Sequence, residues 1–369
     1  MKSVNILTKE KIINQNKSIN KYKNLKSNYF LQNLFNYLDK KKSLDIAKYN
    51  NNLKMRININ INDYKEYSEK FSSIEIELIP EYIKYGKFIN IKDELYYDIY
   101  FNNNKEKIKR NYINESEQIK IIRVIIGHQF QSFKELFYFC DCIKSIHFKK
   151  FCRNNINDMS YMFYGCTSLK KLNFNNFNTI NVTDMNNMFG ICSSLSELNL
   201  NNFNTNNVHD MHSMFYDCSS LKEISVKNFS TNNVIDMNSM FYGCSSIEKL
   251  NLNNFFTNNV IDMHSLFQGC SSLKELNLNN FSTYNVNNMN FMFYQCSSLK
   301  ELNLNSFNTS NVIYMDCMFR ECSSLKELKL NNNFNTNKVT NMFCMFYGCS
   351  NKLKMKIKAQ LKNILEEAF

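Results

Sequence analysis

The sequence predicts an α/β repeat solenoid, a parallel β-sheet with short helices, preceded by a small α+β region. Three observations predict it. Cysteine recurs every 26 residues at Cys140, Cys166, Cys192, Cys218, Cys244, Cys270, Cys296 and Cys322, then at Cys349 after 27, where Asn331–Asn333 adds one residue. Other columns hold the same register, so that one unit reads Leu195-x-x-Leu198-x-Leu200-x-x-Phe203-x-Thr205-x-Asn207-Val208-x-x-Met211-x-x-Met214-Phe215-x-x-Cys218. Within a unit the apolar period changes from two residues to three or four.

The first half of each unit reads as a strand. Leu198 and Leu200 alternate with Glu197, Asn199 and Asn201, as one buried face of a pleated segment requires. The second half reads as a short helix, with Val208, Met211, Met214, Phe215 and Cys218 on one face. Asn207 stands where an N-cap belongs and Asp210 three residues on, a capping box with Asp in place of Glu. The pair recurs as Asn155/Asp158, Asn181/Asp184, Asn233/Asp236 and Asn259/Asp262. Gly165, Gly243, Gly269 and Gly348 suit a left-handed helix stop. No unit can cover both of its apolar faces, so units must stack, pairing their strands in parallel at ~4.8 Å per unit.

The L-x-x-L-x-L frame and the 26-residue period fit the leucine-rich repeat. The block F-x-T-x-N-V-x-D-M-x-x-M-F-x-x-C-S-S-L-K-E-L-N-L, covering about Phe133 to Ile357, resembles the BspA-like leucine-rich repeats of bacterial and protist surface proteins. That resemblance implies a solenoid used in adhesion or protein–protein contact, displayed at the cell surface.

The expected divisions are an α+β region at 1–130, about nine repeat units at 131–357, and a capping helix at 358–369. Residues 1–130 hold 24 Lys and Arg against 15 Asp and Glu, a net of +9, and the rest only +3. The basic front could meet nucleic acid or a membrane, but a solvated surface is the simpler reading and no specific nucleic-acid partner is expected. Asn, Lys, Ile, Tyr and Phe dominate as AT-rich codons would dictate. At 44% hydrophobic and 14% aromatic residues, the chain is too apolar for a disordered protein.

In the front region Tyr29–Leu38 and Ser43–Tyr49 read as helices. Ile74–Leu78, Phe88–Ile91, Tyr97–Phe101 and Gln118–Ile126 read as strands, and Asn102–Asn114 as a polar linker. Residues 28–57 resemble an F-box at Leu34-Phe35-x-Tyr37-Leu38-Asp39 and Leu44-x-Ile46, without the family's leading proline or later tryptophan. This implies a ubiquitin-ligase adaptor whose repeats choose the substrate. Met1–Ser18 has no signal-peptide core and no run reaches the ~18 apolar residues of a membrane span, so a cytoplasmic chain without a transmembrane segment is expected. Leu353, Met355 and Ile357, alternating with lysines, read as a terminal strand.

No G-x-S-x-G, Walker or H-E-x-x-H motif appears, so the expectation is a non-catalytic, monomeric chain without cofactor or metal that binds an unidentified protein. The cysteine column from Cys166 to Cys349 should be a buried ladder, since free Cys packs as a small hydrophobe. Cys317 and Cys344 share a second column and are the one pair suited to a bridge. His209 and His212 lie near each other, but His264 is two units away, too far to share a metal. The strand face is uniform: Glu197, Glu223, Glu275, Glu301 and Glu327 fill one column, flanked by Lys222, Lys274, Lys300 and Lys326, with Asn173, Asn199, Asn251, Asn277 and Asn303 in another. Recognition needs variation, which lies on the opposite side. The candidate interaction surface is therefore His209, His212, Tyr216, Tyr242, His264, Gln268, Tyr294 and Arg320.

Overall fold

The computed structural model describes residues 27–369 apart from Tyr37, Asp39, Tyr49, Lys92, Asn176 and Lys362. The first 26 residues, where the signal-peptide reading falls, lie outside it. The chain divides into two compact units at Ser72/Ser73.

The first unit is helical: α1 (Asn28–Asn36), α2 (Lys40–Ala47), α3 (Asn51–Arg56) and α4 (Ile61–Phe71). Leu31, Phe35, Ala47, Leu53 and Ile57 form its own small core. The Asn50 side chain caps α3 by accepting the Leu53 N–H at 3.0 Å. α3 and α4 were not legible in the apolar pattern.

The second unit begins with β1 (Ile74–Pro80), β2 (Gly86–Lys87), β3 (Tyr97–Phe101), β4 (Tyr112–Ile113) and β5 (Ile122–Ile126). Phe88–Ile91 is not a strand; β2 ends just before it, and β2 and β4 pair with each other. The remaining strands join β6 (Ile143–Lys150) and β7 (Lys171–Asn173) in one sheet of order β3-β5-β1-β6-β7. β6 is the junction. One side pairs antiparallel with β1, Leu78 opposite Ile146, and the other parallel with β7, Ile146 opposite Leu172.

The boundary expected at 130 therefore falls inside a compact unit. The reason is physical: an open solenoid edge exposes unpaired backbone, and β1 covers it. Arg153 ties this cap to the repeats. It occupies the column that later units fill with Thr179 and Thr205, and its fully buried guanidinium donates to the carbonyls of Ile126 (3.0 Å) and Gly127 (3.2 Å) at the end of β5, and to that of His128.

Beyond β7 the strands are short: β8 (Glu197–Asn199), β9 (Glu223–Ser225), β10 (Lys249–Leu250), β11 (Glu275–Leu276), β12 (Glu301–Leu304) and β13 (Glu327–Leu330). They bond two by two, β8 with β9, β10 with β11 and β12 with β13. With β6 and β7 they bound about seven full turns; the units holding Cys140 and Cys349 act as ends, so nine complete units are not formed.

The second half of each unit is not a helix. Alternate N–H groups point to the next coil: those of Met159, Tyr161, Phe163 and Gly165 donate to the carbonyls of Asp184, Asn186, Met188 and Gly190. The intervening N–H groups of Met162, Tyr164 and Cys166 close turns on Met159, Tyr161 and Phe163. Every second turn places a residue at positive φ, such as Tyr161 and Gly165, or Ser213 and Asp217, as a type II turn requires. The glycines foreseen as helix stops occupy such turns. Isolated parallel bridges run from Ser132 through Asp158, Asp184, Asp210, Asp236, Asp262, Asn288 and Tyr314 to Asn341, so the continuous ladder lies on the turn side.

The expected capping box is replaced by one contact between coils and one within the coil. Asn207 Nδ2 donates to the carbonyl of Ile180 in the preceding coil at 2.7 Å, and Asp210 Oδ1 accepts the N–H of His212 at 2.9 Å. Inside, Phe137, Phe163, Phe189, Phe215, Phe241, Phe267, Phe293, Phe319, Phe346 and Phe369 stack at 5.2–5.8 Å between ring centroids. A buried threonine column closes the far corner: Thr205 Oγ1 donates to the Ser230 carbonyl at 2.8 Å and accepts its N–H at 2.7 Å.

The carboxy-terminal expectations are reversed. The 353–357 segment is helix α5 (Asn351–Gln360), capped by Ser350, with Leu353 and Ile357 inward at i, i+4 spacing and Met355 exposed. Beyond it the chain forms a last rung in place of the helix expected at 358–369. The N–H groups of Cys344 and Phe346 donate to Glu367 (2.8 Å) and Ala368 (2.7 Å).

Arg153→Met would leave the buried Ile126 carbonyl and the part-buried carbonyls of Gly127 and His128 without their guanidinium partner. We expect a loss of roughly 3–5 kcal/mol, measured as an earlier denaturant midpoint of the full chain. An unchanged midpoint would show that Arg153 does not lock cap to coils.

Candidate interaction surface

The turn ladder turns one set of side chains inward and another outward, in the same pattern on every coil. Met211, Met214, Phe215 and Cys218 are buried, while Asp210, His212 and Tyr216 face out. The outward columns are therefore rows of side chains one coil apart on a rigid backbone.

The Asp row comprises Asp158, Asp184, Asp210, Asp236 and Asp262, each accepting the N–H two residues ahead. Burial, with the charges of Asp210 and Asp158, holds the Asp184 carboxyl above the usual range. Two coils place histidine against this row. His212 Nδ1 lies 2.8 Å from Asp210 Oδ1 with Nε2 3.0 Å from Asn187, and His264 Nδ1 lies 2.9 Å from Asp262 Oδ1. The carboxylate partner raises the pKa of both imidazoles against the opposing effect of burial.

Next to these runs an aromatic row. Tyr216 and Tyr242 stack nearly parallel at 4.5 Å. Arg320 lies between the rings of Tyr294 (5.8 Å) and Tyr347 (5.1 Å), where a guanidinium meets the negative faces of both. Gln268 accepts the Ser265 hydroxyl at 2.7 Å. His209 belongs elsewhere, exposed at the corner, with its backbone bonded to Thr183 and Ile235. The structure thus gathers seven of the eight candidates on one face and leaves His209 off it.

The candidate list missed the start and end of the row. Tyr138, Tyr161 and Tyr164 cluster with centroids 5.4–6.2 Å apart, and Tyr347 ends it. Tyr164 lies over Gly190, where any Cβ would sit 2.6 Å from the ring. The signal was available, since Tyr138, Tyr164 and Tyr347 share the column of Tyr216. On the strand face a cleft of about 450 Å³ is lined by Lys249, Glu275, Asn277, Glu301 and Asn303 among others. There Glu248-Lys249 inverts the usual order, and Lys249–Glu275 and Glu248–Lys274 pair at 2.8 Å.

The cysteine column is buried, and it is more than packing. Each thiol from Cys166 to Cys349 lies 3.0–3.2 Å from a Phe carbonyl of the preceding coil; Cys244 donates to Phe215, which also accepts the Cys218 N–H. Burial pushes these thiols up, to about 12 at Cys218, Cys270 and Cys349, so they remain protonated donors. Cys317 and Cys344 stand on adjacent coils as free thiols. Among the described residues no three His, Cys, Asp or Glu side chains converge as a metal site would need.

Fold and surface together define a class: a parallel-strand solenoid of leucine-rich-repeat type with turns in place of helices. The profile of the family described as "Mycoplasma protein of unknown function, DUF285" matches residues 131–255 and 235–359, together more than half of the chain, and the chain belongs to that family. No curated protein matches the sequence. Among solved structures it is similar to one titled "Crystal structure of TLR13-ssRNA13 complex", with 18% identity and a TM-score of 0.22 over 53% of this chain and 33% of that chain, about a third of its length.

Two outcomes test this geometry. In the native state Cys152 and Cys344 should react with thiol reagents far faster than the eleven buried cysteines; uniform rapid labelling would contradict the ladder. Cys244→Ser should cost only about 1 kcal/mol, because the hydroxyl inherits the carbonyl acceptor and is not left unsatisfied.

The histidines give a pH dependence of fixed sign. Their folded pKa lies above the ordinary 6.5, so their contribution is complete below that value and fades as pH rises through the folded pKa. The His212→Gln/His264→Gln variant should therefore lose less stability than the parent between about pH 6 and pH 8. Parallel melting curves against pH would exclude the Asp–His pairs as its source.

Proposed function

We propose that the chain is a non-catalytic scaffold whose turn-ladder face holds a protein partner, with the aromatic row as anchor. One observation carries the reading. Inward columns repeat from coil to coil, whereas two outward columns of the turn side vary, one as Tyr216, Tyr242, Gln268, Tyr294 and Arg320 and the other as His212, Asn238, His264 and Asn290. Packing alone does not require that variation. Tyr and Arg on a rigid backbone bury large area at small entropic cost, the composition of binding hot spots. The BspA-like resemblance extends the proposal to adhesion at a cell surface. A second reading, an F-box-like adaptor, is favoured only by the separate helical unit with its own core.

The test is quantitative capture from the native cell with the full chain. Tyr242→Ser/Arg320→Ala should weaken the captured partner at least tenfold, about 1.4 kcal/mol or more, while Lys274→Ser on the strand face leaves it unchanged. The reverse pattern would move the binding face to the strands. Loss of capture on removing residues 1–72 alone would favour the adaptor reading.

A further inference from the structure

A turn outside the repeats gathers features that packing does not explain. Between β1 and β2 the chain reads Glu81-Tyr82-Ile83-Lys84-Tyr85. Tyr82, Ile83 and Tyr85 are 79%, 83% and 55% exposed, so three large apolar side chains within four residues lack cover. Ile83 has φ of 69°, a region where a β-branched residue is strained and Gly or Asn would be at ease. Behind the turn a cleft of about 360 Å³ lies between it and the segment 113–120, and the three side chains leave it unfilled. Tyr112, opposite Lys87 on the β2/β4 ribbon, adds another exposed ring.

The surrounding charge is positive. Of the nearby carboxylates, Glu81 is held by Lys170 at 2.9 Å and Glu117 by Arg110, while Glu115 lies within reach of the Tyr85 hydroxyl. Lys84, Lys87 and Lys120 are exposed and, among the described residues, form no ion pair. Exposed tyrosines and an aliphatic apex ringed by unpaired lysines have the chemistry of a bilayer interface: rings settle at headgroup depth, an aliphatic side chain enters below them, and lysines stay with the phosphates.

We propose that the Tyr82–Tyr85 tip binds the surface of an anionic lipid bilayer, with Ile83 entering the boundary between headgroups and acyl chains. A single-stranded nucleic acid would share the charge preference and could stack on the tyrosines, but it would gain nothing from an exposed aliphatic side chain at the apex, which a bilayer buries. The tip belongs to the non-repeating cap, so the proposal is independent of the turn-ladder reading.

The chain contains no tryptophan, so Ile83→Trp or Tyr82→Trp in the full chain makes a single-site reporter. With vesicles of mixed phosphatidylcholine and phosphatidylglycerol, both should give a blue-shifted emission shielded from aqueous iodide, and the chain should sediment with the vesicles. Tyr347→Trp should show no shift. Lys84→Glu/Lys87→Glu should weaken binding at least tenfold, and added salt should do the same. Ile83→Asp, with unchanged circular dichroism, should abolish it. The proposal is overturned by absence of both shift and sedimentation, by sedimentation that survives Ile83→Asp, by a shift at Tyr347→Trp instead, or by binding to an oligonucleotide without vesicle binding.

Discussion

Backbone hydrogen bonding between successive coils is the constraint on which the rest of this structure depends. A buried segment that is neither helix nor continuous strand must still satisfy every N–H and carbonyl. Here the chain sends alternate N–H groups to the next coil and closes turns with the others, as Met159 to Gly165 show. That division forces two positive-φ positions on each coil, whatever residue stands there: Ile191, Asp217 and Gln295 adopt the geometry that Gly165 and Gly243 adopt freely. It also fixes which side chains turn inward, and so defines both the core and the face proposed for binding.

The repeat, its register and its buried columns were legible because each core position recurs at a fixed interval. The helix was a misreading with a clear cause. Val208, Met211, Met214, Phe215 and Cys218 have spacings that a helix face and a run of i to i+3 turns share. Serine, aspartate and glycine at several of the positive-φ positions, such as Ser213, Asp217, Ser239 and Gly243, were the discriminating signal. A similar ambiguity hid α5, since Leu353 and Ile357 are in phase both for a strand and for one helix turn, and the Ser350 cap selects the helix. In the candidate site, column membership could be read from the numbering. The Asp210–His212 pairing could not, because a helix would not bring residues two apart together. The Tyr82–Tyr85 turn had no period to expose it.

Composition also takes on a different meaning. Asparagine abundance read as codon bias, yet Asn207 bonds back to Ile180, Asn199 accepts the N–H of Asn201, and Asn204 accepts that of Asn206. These are separate corners of one coil, each needing a short side chain that can bond to nearby backbone. The two ends follow the same logic. An antiparallel sheet and one buried arginine close the first coil, and the chain's final residues close the last, extending the phenylalanine stack to Phe369.

The thiol column carries one more implication, for where such a chain can work. Sulfur is sensitive to its compartment only when an oxidant or a second thiol can reach it as thiolate. From Cys166 to Cys349 each sulfur is buried, protonated and committed to a carbonyl of the coil before it. The stack therefore needs neither a reducing cytosol to protect it nor an oxidising exterior to mature it. Eight cysteines in register leave the coils indifferent to the side of a membrane on which they stand.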